Sequence, residues 1–259
     1  MKIWAHRGCS YAWPENTLQA FEAACWYPIT GIELDIQLTK DQEVVVIHDE
    51  KVDRTTDGIG YVKDFVLKEL KELKIISHPS GTENQYVQIP TMEEVFDILS
   101  PYCRDNGLLI NIELKNSVVR YEGMEDKILD MVRKWKLEDY VVFSSFNPES
   151  VHMIKEKNPA VKTGILAASV RACLDFARKY PVDALHPYIN GLDVEDLKDR
   201  TILPVRAWNI RKFEPFYPDR GEVEMQNLDE LEKIGVTDIF TNVPEKYLQE
   251  TKGKSAVSV

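Results

Sequence analysis

The chain has 259 residues, of which 44% are hydrophobic, so it can bury a full core as one large α/β domain or two small domains. Its formal net charge of -11 argues against nucleic acid and against an anionic membrane as the main partner, because both reward a basic surface. A substrate that carries phosphate would need local positive charge, from a metal ion or from a few placed Arg and Lys side chains.

The spacing of the cysteines and the length of the apolar segments indicate the cellular compartment of the protein. The four cysteines are scattered without CxxC spacing at Cys9, Cys25, Cys103 and Cys173. The N-terminus shows no charged segment followed by an apolar one, and no apolar run reaches the roughly 20 residues that a membrane span needs. We therefore expect a reduced, cytoplasmic protein without an integral membrane segment.

Strands and helices are predicted to alternate along the chain. A strand at 2–6 precedes a helix that Asn16 or Thr17 can cap, and a strand at 32–38 precedes a buried β-branched run at 44–47. The stretch from about 50 to 89 is too long for an ordinary connection, so we interpret it as a small insertion. Further strands are predicted at 108–114, 140–146, 161–166, 182–186, 201–208 and 237–241. Further helices are predicted from 91 and 147 and at about 122–135, 169–179, 193–199, 227–234 and 244–250.

Eight strand-helix units favour a closed barrel over an open sheet, because an open doubly wound sheet typically has fewer units. We therefore predict an α/β fold, a TIM (β/α)8 barrel, that spans residues 1–259 as a single domain with a small insertion after the second strand. Such a barrel carries its functional residues at the C-terminal ends of its strands. Several polar side chains fall at or near these ends.

Carboxylates lie on one face of two predicted strands. In the first, the polar positions Glu33 and Asp35 alternate with aliphatic ones, and the same alternation places Asn111 and Glu113 on one face of the second. Alternating acids can mark a solvated sheet face, but a barrel covers both faces of a parallel strand, so these acids must be paired or bound to a metal. An oxygen-only set of Glu33, Asp35 and Glu113 favours Mg2+ or Ca2+ over zinc.

Two histidines and two cations accompany these acids. His6 and His48 end predicted strands near the acidic pair, and two imidazoles suit a reaction that takes one proton and gives another. Arg7 and Lys115 add positive charge, either to hold phosphate oxygens or to neutralise the carboxylates. A divalent metal with these two cations supplies four positive charges against three carboxylates, which leaves room for a monoanion such as a phosphodiester.

Several motifs together are characteristic of one family. In chain order they are His6-Arg7-Gly8, Pro14-Glu15-Asn16-Thr17, Gly31-x-Glu33-x-Asp35, His48-Asp49, Arg54-Thr55-Thr56, Asn111-Ile112-Glu113-Leu114-Lys115 and Ser144-Ser145-Phe146. Over nearly the whole chain this pattern resembles the glycerophosphodiester phosphodiesterase family. The resemblance implies a TIM barrel with a small inserted segment. It also implies a divalent metal at Glu33, Asp35 and Glu113, an acid/base pair of His6 and His48, and a phosphate held by Arg7 and Lys115.

Two segments depart from the family pattern. Trp208-Asn209-Ile210-Arg211 stands where such proteins usually carry Trp-Thr-Val-Asn, and Thr241-Asn242-Val243-Pro244 stands where they usually carry Thr-Asp-x-Pro. We expect both departures to lie away from the metal and phosphate residues. They would then affect substrate choice more than activity.

The favoured hypothesis is metal-dependent hydrolysis of a small-molecule glycerophosphodiester to sn-glycerol 3-phosphate and an alcohol, with Phe146 and Trp208 as further substrate-binding residues. One alternative is phospholipase D-like activity on lysophospholipids, for which the aromatic residues Phe213, Phe216 and Tyr217 could form an apolar groove. Another is a non-catalytic barrel that binds phosphorylated ligands. The presence of both histidines with all three carboxylates argues against it, because binding alone requires no proton transfer.

The route of bond cleavage is the last expectation. The free hydroxyl beside the phosphorylated carbon is already within reach, so we expect it to attack phosphorus and form a cyclic 1,2-phosphate that water then opens. The sequence leaves open which histidine is the acid, although Asp49 beside His48 favours His48. The preferred alcohol, the metal used and the oligomeric state also stay open.

Overall fold

The computed structural model describes residues 1–76, 87–198, 202–209 and 225–249. The strands in these ranges are β1 (Lys2–His6), β2 (Gly31–Leu38), β3 (Val44–Val46), β4 (Leu109–Leu114), β5 (Val141–Ser145), β6 (Lys162–Ala167), β7 (Ala184–Pro187), β8 (Arg206–Trp208) and β9 (Asp238–Thr241). The α-helices are α1 (Leu18–Ala24), α2 (Leu67–Glu72), α3 (Met92–Asn106), α4 (Met124–Trp135), α5 (Pro148–Lys157), α6 (Val170–Ala177), α7 (Val194–Lys198), α8 (Leu228–Lys233) and α9 (Pro244–Tyr247).

Eight of these strands form a closed parallel barrel, which confirms the predicted fold. Their order is β7-β6-β5-β4-β2-β1-β9-β8, with parallel pairing between neighbours. The ring closes between β7 and β8 through parallel bridges from Leu185 to Val205 and from Tyr188 to Trp208. All C-terminal strand ends therefore open at one end of the barrel, where functional groups can converge.

The two faces of β2 separate as its alternation predicts. Its polar face, with Glu33 and Asp35, points into the barrel, and its aliphatic face packs under α1 and α3. Burial of each aliphatic side chain contributes about 1.5–3 kcal/mol to folding, as an upper estimate. The buried residues of this layer include Phe21, Ile32, Leu34, Ile36, Leu38, Val95, Phe96 and Leu99.

Strand β3 lies outside the ring. It pairs antiparallel with β2, with Ile36 opposite Val46, so the chain turns back along the strand that it has just left. The backbone N–H of Ile47 then donates to the carbonyl oxygen of Asp35 over 3.0 Å. The run 44–47 is buried as predicted, but a hairpin, rather than the end of a parallel barrel strand, brings the following residue, His48, to the level of Asp35.

The helix starts follow from local capping. The side chain of Thr17 accepts from the N–H of Ala20 and caps α1, so Thr17 rather than Asn16 takes that role. Thr91 and Glu94 form the predicted capping box of α3, and Asn147 caps α5 with proline at the first helical position.

The described part of the predicted insertion has a small apolar cluster of its own. Val52, Val62 and Leu70 are fully buried, and they pack with Val45 and Ile89. Residues 77–86 of the insertion lie outside the described ranges. Among the described helices, none is long and apolar enough to cross a membrane.

Candidate active site

Three carboxylates from two adjacent strands meet in the barrel mouth. Glu33 and Asp35 lie on β2 and Glu113 lies on β4, where its Cα is paired with that of Asp35. One oxygen from each lies within 4.8 Å of the others, and all three side chains are buried. Glu33 Oε1 and Asp35 Oδ1 have no hydrogen-bond partner among the described residues. Buried, unpaired oxygens of this kind call for a cation.

The electrostatics of this cluster fit a hard divalent cation. Burial and the negative charges of Asp35 and Glu113 raise the pKa of Glu33 well above its usual value. Burial also opposes ionisation of Asp35, but the charges of His48 and Arg7 outweigh that effect and lower its pKa to about 2. Glu33 is therefore the carboxylate that lacks compensation. An all-oxygen donor set that is short of positive charge suits Mg2+ or Ca2+.

Arg7 lies against the acidic cluster. Its backbone N–H donates to Glu33 Oε2 over 3.0 Å, and its Nη1 donates to Glu15 Oε1 over 2.9 Å. Its Nε lies 3.3 Å from Asp35 Oδ2. The backbone of Arg7 has a φ of 56°, a conformation that costs a non-glycine residue free energy and recurs at functional sites.

Lys115 follows the end of β4 and lies beside two of the same carboxylates. Its Nζ donates to Glu113 Oε1 over 3.0 Å and lies 3.8 Å from Asp35 Oδ1. The structure thus brings both predicted cations to the acidic cluster, in contact with the carboxylates. Neutralisation of the cluster and attraction of a phosphate are compatible roles at this position.

His6 ends β1 at the edge of the cluster, with its Nε2 3.8 Å from Glu33 Oε2. Its Nδ1 lies 2.5 Å from Oδ1 of Asn242, just past β9. Burial and the charge of Arg7 lower the pKa of His6 to about 3, so its imidazole is neutral at neutral pH. The sequence pattern set the segment around Asn242 apart from the metal and phosphate residues and indicated no contact with the histidines. The pairing of β1 with β9 brings this departure from the family pattern onto a candidate catalytic histidine.

His48 has a carboxylate partner instead. Its Nδ1 lies 2.6 Å from Oδ1 of Asp49, the next residue. Gln37 fixes this turn, since its Nε2 lies within hydrogen-bond distance of the carbonyl oxygens of His48 and Asp49, at 3.1 and 2.6 Å. Tyr121 holds Gln37 in turn through a 2.8 Å hydrogen bond to Oε1.

An arginine that sequence reasoning left without a role joins this turn to the rest of the site. The Nε of Arg54 donates to Asp49 Oδ2 over 2.6 Å, and its Nη1 and Nη2 donate to Glu15 over 3.0 and 2.7 Å. Glu15 also accepts from Arg7, so the ion pairs run unbroken from Asp49 to Arg7. Although Glu15 is buried, its two arginines hold its pKa well below the usual range. Glu15 and Arg54 belong to two separate family motifs, and only the folded chain reveals that they meet.

Asn16 has a second role that the sequence did not indicate. Its Nδ2 donates to Asp35 Oδ2 over 2.8 Å, which fixes the orientation of that carboxylate. A backbone φ of 55° at Asn16, a left-handed conformation that asparagine tolerates, directs the side chain there.

Two aromatic residues form one wall of the mouth. The rings of Phe146 and Trp208 meet edge to face with centroids 5.5 Å apart, and Tyr188 lies against Trp208 at 4.7 Å. Phe146 and Trp208 line the same pocket, of about 360 Å³ including its open mouth, as His6, Glu33 and Glu113. The predicted aromatic groove at Phe213, Phe216 and Tyr217 lies outside the described residues, as do residues 210 and 211.

Fold and site together define a TIM-barrel enzyme with a buried acidic cluster that could hold a cation, flanked by two histidines and by the side chains of Arg7 and Lys115. Residues 6–246 match the family model described as the glycerophosphoryl diester phosphodiesterase family. The chain is 38% identical over 248 residues to a glycerophosphodiester phosphodiesterase of Caldanaerobacter subterraneus subsp. tengcongensis, covering 94% of this chain and 95% of the relative. It is 37% identical over 249 residues to one of Bacillus altitudinis, covering 96% and 97%.

A solved structure of a phosphodiesterase is also similar to this chain. The Oleispira antarctica phosphodiesterase in complex with the product sn-glycerol-3-phosphate superposes with a TM-score of 0.75 and 28% identity, over 95% of this chain and 94% of that one. The chain therefore belongs to the glycerophosphoryl diester phosphodiesterase family. It is a phosphoric diester hydrolase, as predicted.

Proposed function

We propose that this enzyme hydrolyses glycerophosphodiesters to sn-glycerol 3-phosphate and an alcohol, in a reaction that needs a divalent metal and two histidines. The observation that carries the proposal is the pairing of His6 with a neutral amide and His48 with a carboxylate, on a cluster of acids with unpaired oxygens. The relatives named glycerophosphodiester phosphodiesterases and the Oleispira complex with sn-glycerol-3-phosphate support the substrate class.

Glu33, Asp35 and Glu113 are the residues that would hold the metal. Mg2+ or Ca2+ bound there would supply a Lewis acid for the phosphoryl oxygens and offset their charge. Arg7 and Lys115 border the cluster and add fixed positive charge, so they would bind the phosphodiester and stabilise the charge that grows on it during the reaction.

The two histidines would divide the proton transfers. With Nδ1–H donated to the Asn242 carbonyl oxygen, neutral His6 keeps a lone pair on Nε2, as a general base requires. His48 would carry its extra proton as an imidazolium that Asp49 stabilises, and it would protonate the departing alcohol. Asp49 thus supports the assignment of His48 as the acid.

The attacking oxygen would be the substrate hydroxyl next to the phosphorylated carbon. This hydroxyl is tethered to the phosphate, so its attack avoids the entropy cost of positioning a water molecule. The product of the first step is a 1,2-cyclic phosphate together with the protonated alcohol. Water opens the cyclic ester in the second step, with the histidines in reversed roles.

Phe146 and Trp208 would form the wall against the apolar edge of the glycerol or its leaving group. Trp208 is fixed there, since its indole N–H donates to the carbonyl oxygen of His186 over 2.9 Å. A Trp208→Ala variant should therefore raise KM or lower kcat while the melting temperature stays within a few degrees.

A substrate screen with and without metal tests the proposed function. Glycerophosphocholine, glycerophosphoethanolamine, glycerophosphoglycerol and a lysophospholipid are each assayed after chelation and after addition of Mg2+ or Ca2+. We expect turnover of the glycerophosphodiesters only with metal, and loss of turnover in Glu33→Ala with Asp35→Ala. An exposed pair, Asp130→Ala with Glu156→Ala, is the matched control. Full activity after exhaustive chelation, or in the Glu33 and Asp35 variant, would disprove the metal role.

A further inference from the structure

The floor of the active-site pocket carries polar groups that the proposed reaction does not use. Asn111, Ser144 and His186 line the same pocket as Glu33 and Glu113, and each is almost fully buried. Asn111 Oδ1 and both ring nitrogens of His186 have no hydrogen-bond partner in the described part of the chain. An unpaired buried polar group costs roughly 1–3 kcal/mol, so three such atoms on one floor indicate a missing partner.

The floor is built by a glycine on β6. A Cβ atom at Gly164 would overlap Nε2 of His186, so only glycine lets the imidazole lie across the inner face of β6. Gly164 is paired with Ser144 on β5, and Ser144 Oγ accepts from Asn111 Nδ2 over 2.8 Å. The polar groups therefore follow the barrel wall from β4 to β7 as one continuous floor.

The available groups suit an alcohol. Burial and the charge of Arg206 hold the pKa of His186 well below its usual value, so the ring is neutral, with one nitrogen that donates and one that accepts. Asn111 Oδ1 is a second acceptor. A hydroxyl donates one hydrogen bond and accepts others, so it can accept from the ring N–H of His186 and donate to Asn111 Oδ1 at the same time.

The depth of the floor matches glycerol. Asn111 precedes Glu113 by two residues on the same face of β4, so their Cα atoms lie about 6.6 Å apart along the strand, and Asn111 is paired with Glu33 on β2. Three carbons separate the phosphate ester oxygen of a glycerophosphodiester from its terminal hydroxyl, and an extended chain of that length covers most of this distance. Leu166 and Phe240 close the pocket around the floor with apolar surface.

We propose that Asn111 and His186 bind the terminal hydroxyl of the glycerol, the one farthest from the phosphate, and so select substrates in which that hydroxyl is free. The inference rests on the proposed function and narrows its substrate class. A lysophospholipid acylated at that oxygen lacks the hydroxyl and would have to place its acyl chain against a closed, partly polar floor. The enzyme therefore discriminates against such lipids at the floor.

Two analogues of one substrate test the proposal. Glycerophosphocholine is compared with its counterpart in which the terminal hydroxyl is replaced by hydrogen, and kcat/KM is measured for both. In the parent enzyme the deoxy compound should be worse by about tenfold or more, because it leaves the polar floor groups unpaired. In His186→Phe and in Asn111→Leu this ratio should fall towards one. A variant that only damages the fold lowers both rates equally and leaves the ratio unchanged, which would count against the assignment.

Phe240→Leu is the matched control, because it alters the packing beside His186 without removing a polar group. It should keep the parent ratio whatever its absolute rates. Binding of sn-glycerol 3-phosphate and of its terminal deoxy counterpart, measured by calorimetry, decides the subsite without turnover. Equal affinities in the parent would overturn the subsite. Absence of turnover with every glycerophosphodiester, with unequal affinities retained, would instead overturn the proposed function.

Discussion

The Nδ1 atom of His6 lies 2.5 Å from Oδ1 of Asn242, although 236 positions separate the two residues in the chain. His48, the other member of the proposed acid/base pair, has a carboxylate at the corresponding nitrogen. The neutral amide places no negative charge at Nδ1 of His6, whereas Nδ1 of His48 faces the carboxylate of Asp49. This asymmetry is the physical basis for assigning the base and the acid.

Replacement of Asn242 by Asp should shift the pH profile of the enzyme. A carboxylate beside Nδ1 stabilises the imidazolium and raises the pKa of His6 from about 3. Since a general base must be neutral, the acidic limb of kcat/KM should move to higher pH. Asn158→Asp, at the exposed end of α5, adds the same charge away from the site and should leave the limb in place. An unmoved limb in Asn242→Asp would show that His6 is not the base.

Asp49→Asn should impair His48 as the general acid and leave His6 as the general base unaffected. Without its carboxylate, the imidazolium of His48 loses stabilisation, and we expect kcat for an alkyl leaving group to fall by about tenfold to a hundredfold. A nitrophenyl leaving group needs no protonation, so its release should change much less. Asp53→Asn, four residues further along the chain, is the control, because the Asp53 side chain accepts from the N–H of Gly60 and not from His48. Equal losses with both leaving groups would point to a structural role for Asp49.

Arg54→Lys should lower activity although it keeps the charge. The guanidinium bonds Asp49 and Glu15 at the same time, and an ammonium cannot reproduce both contacts. We expect kcat to fall by about tenfold with little change in KM, since Arg54 would act by orienting Asp49 and His48. Combination with Glu15→Gln should be non-additive, because both residues belong to one network. Arg120→Lys, at an ion pair with Glu125 elsewhere on the barrel, should leave kcat unchanged. If the losses of kcat in Arg54→Lys and Glu15→Gln add up in the double variant, the two residues do not act as one network.

The metal-free protein should lose stability as the pH rises. Glu33 has a folded-state pKa raised above its unfolded value. Its contribution to the free energy of unfolding is therefore fully present below the unfolded pKa, near 4.5. The contribution is lost as the pH rises through the raised folded-state value, because the cluster then acquires an uncompensated charge. Glu33→Gln removes this loss, and with chelator at pH 8 its melting temperature should exceed the parent value by about 2–4 °C per kcal/mol gained.

Glu125→Gln is the opposite control for this effect. Glu125 is as deeply buried, but it accepts from Arg120, Asn116 and Ser150, and its pKa is lowered. Its replacement should therefore lower the melting temperature at the same pH. If Glu33→Gln also lowers it, the acidic cluster is not short of positive charge without metal.

Much of the fold was predictable because its signals are local. Alternation along β2 and β4 and the capping residues Thr91 and Asn147 need only neighbouring positions. Strand periodicity predicted that His48 follows a buried strand. That strand, Val44–Val46, pairs antiparallel with β2, and its apolar pattern alone does not distinguish an antiparallel strand from a parallel one.

The contacts that complete the site depend on closure of the barrel. Asn242 meets His6 only because β1 and β9 are neighbours, so the sequence pattern gave no sign of this contact. Glu15 and Arg54 are 39 positions apart, and neither spacing nor composition indicates that the barrel mouth joins them. The position of the His186 ring, whose two nitrogens have no hydrogen-bond partner among the described residues, likewise depends on Gly164, which lies on a different strand.

The last prediction concerns the attacking oxygen. If the hydroxyl beside the phosphorylated carbon is the nucleophile, an analogue that lacks it should not react, whereas the analogue that lacks only the terminal hydroxyl should react slowly. Phosphorus NMR during turnover of glycerophosphocholine should show a 1,2-cyclic phosphate that appears before sn-glycerol 3-phosphate, and the cyclic ester added alone should be hydrolysed. Opening of the cyclic ester by water needs a general base, and in the reversed roles of the second step that base is His48. Hydrolysis of the added cyclic ester should therefore still depend on His48 in Asp49→Asn, where protonation of the leaving alcohol is slowed. Cleavage of the first analogue at the normal rate would instead make water the direct nucleophile, and the assignments of His6 and His48 would then apply to a single displacement.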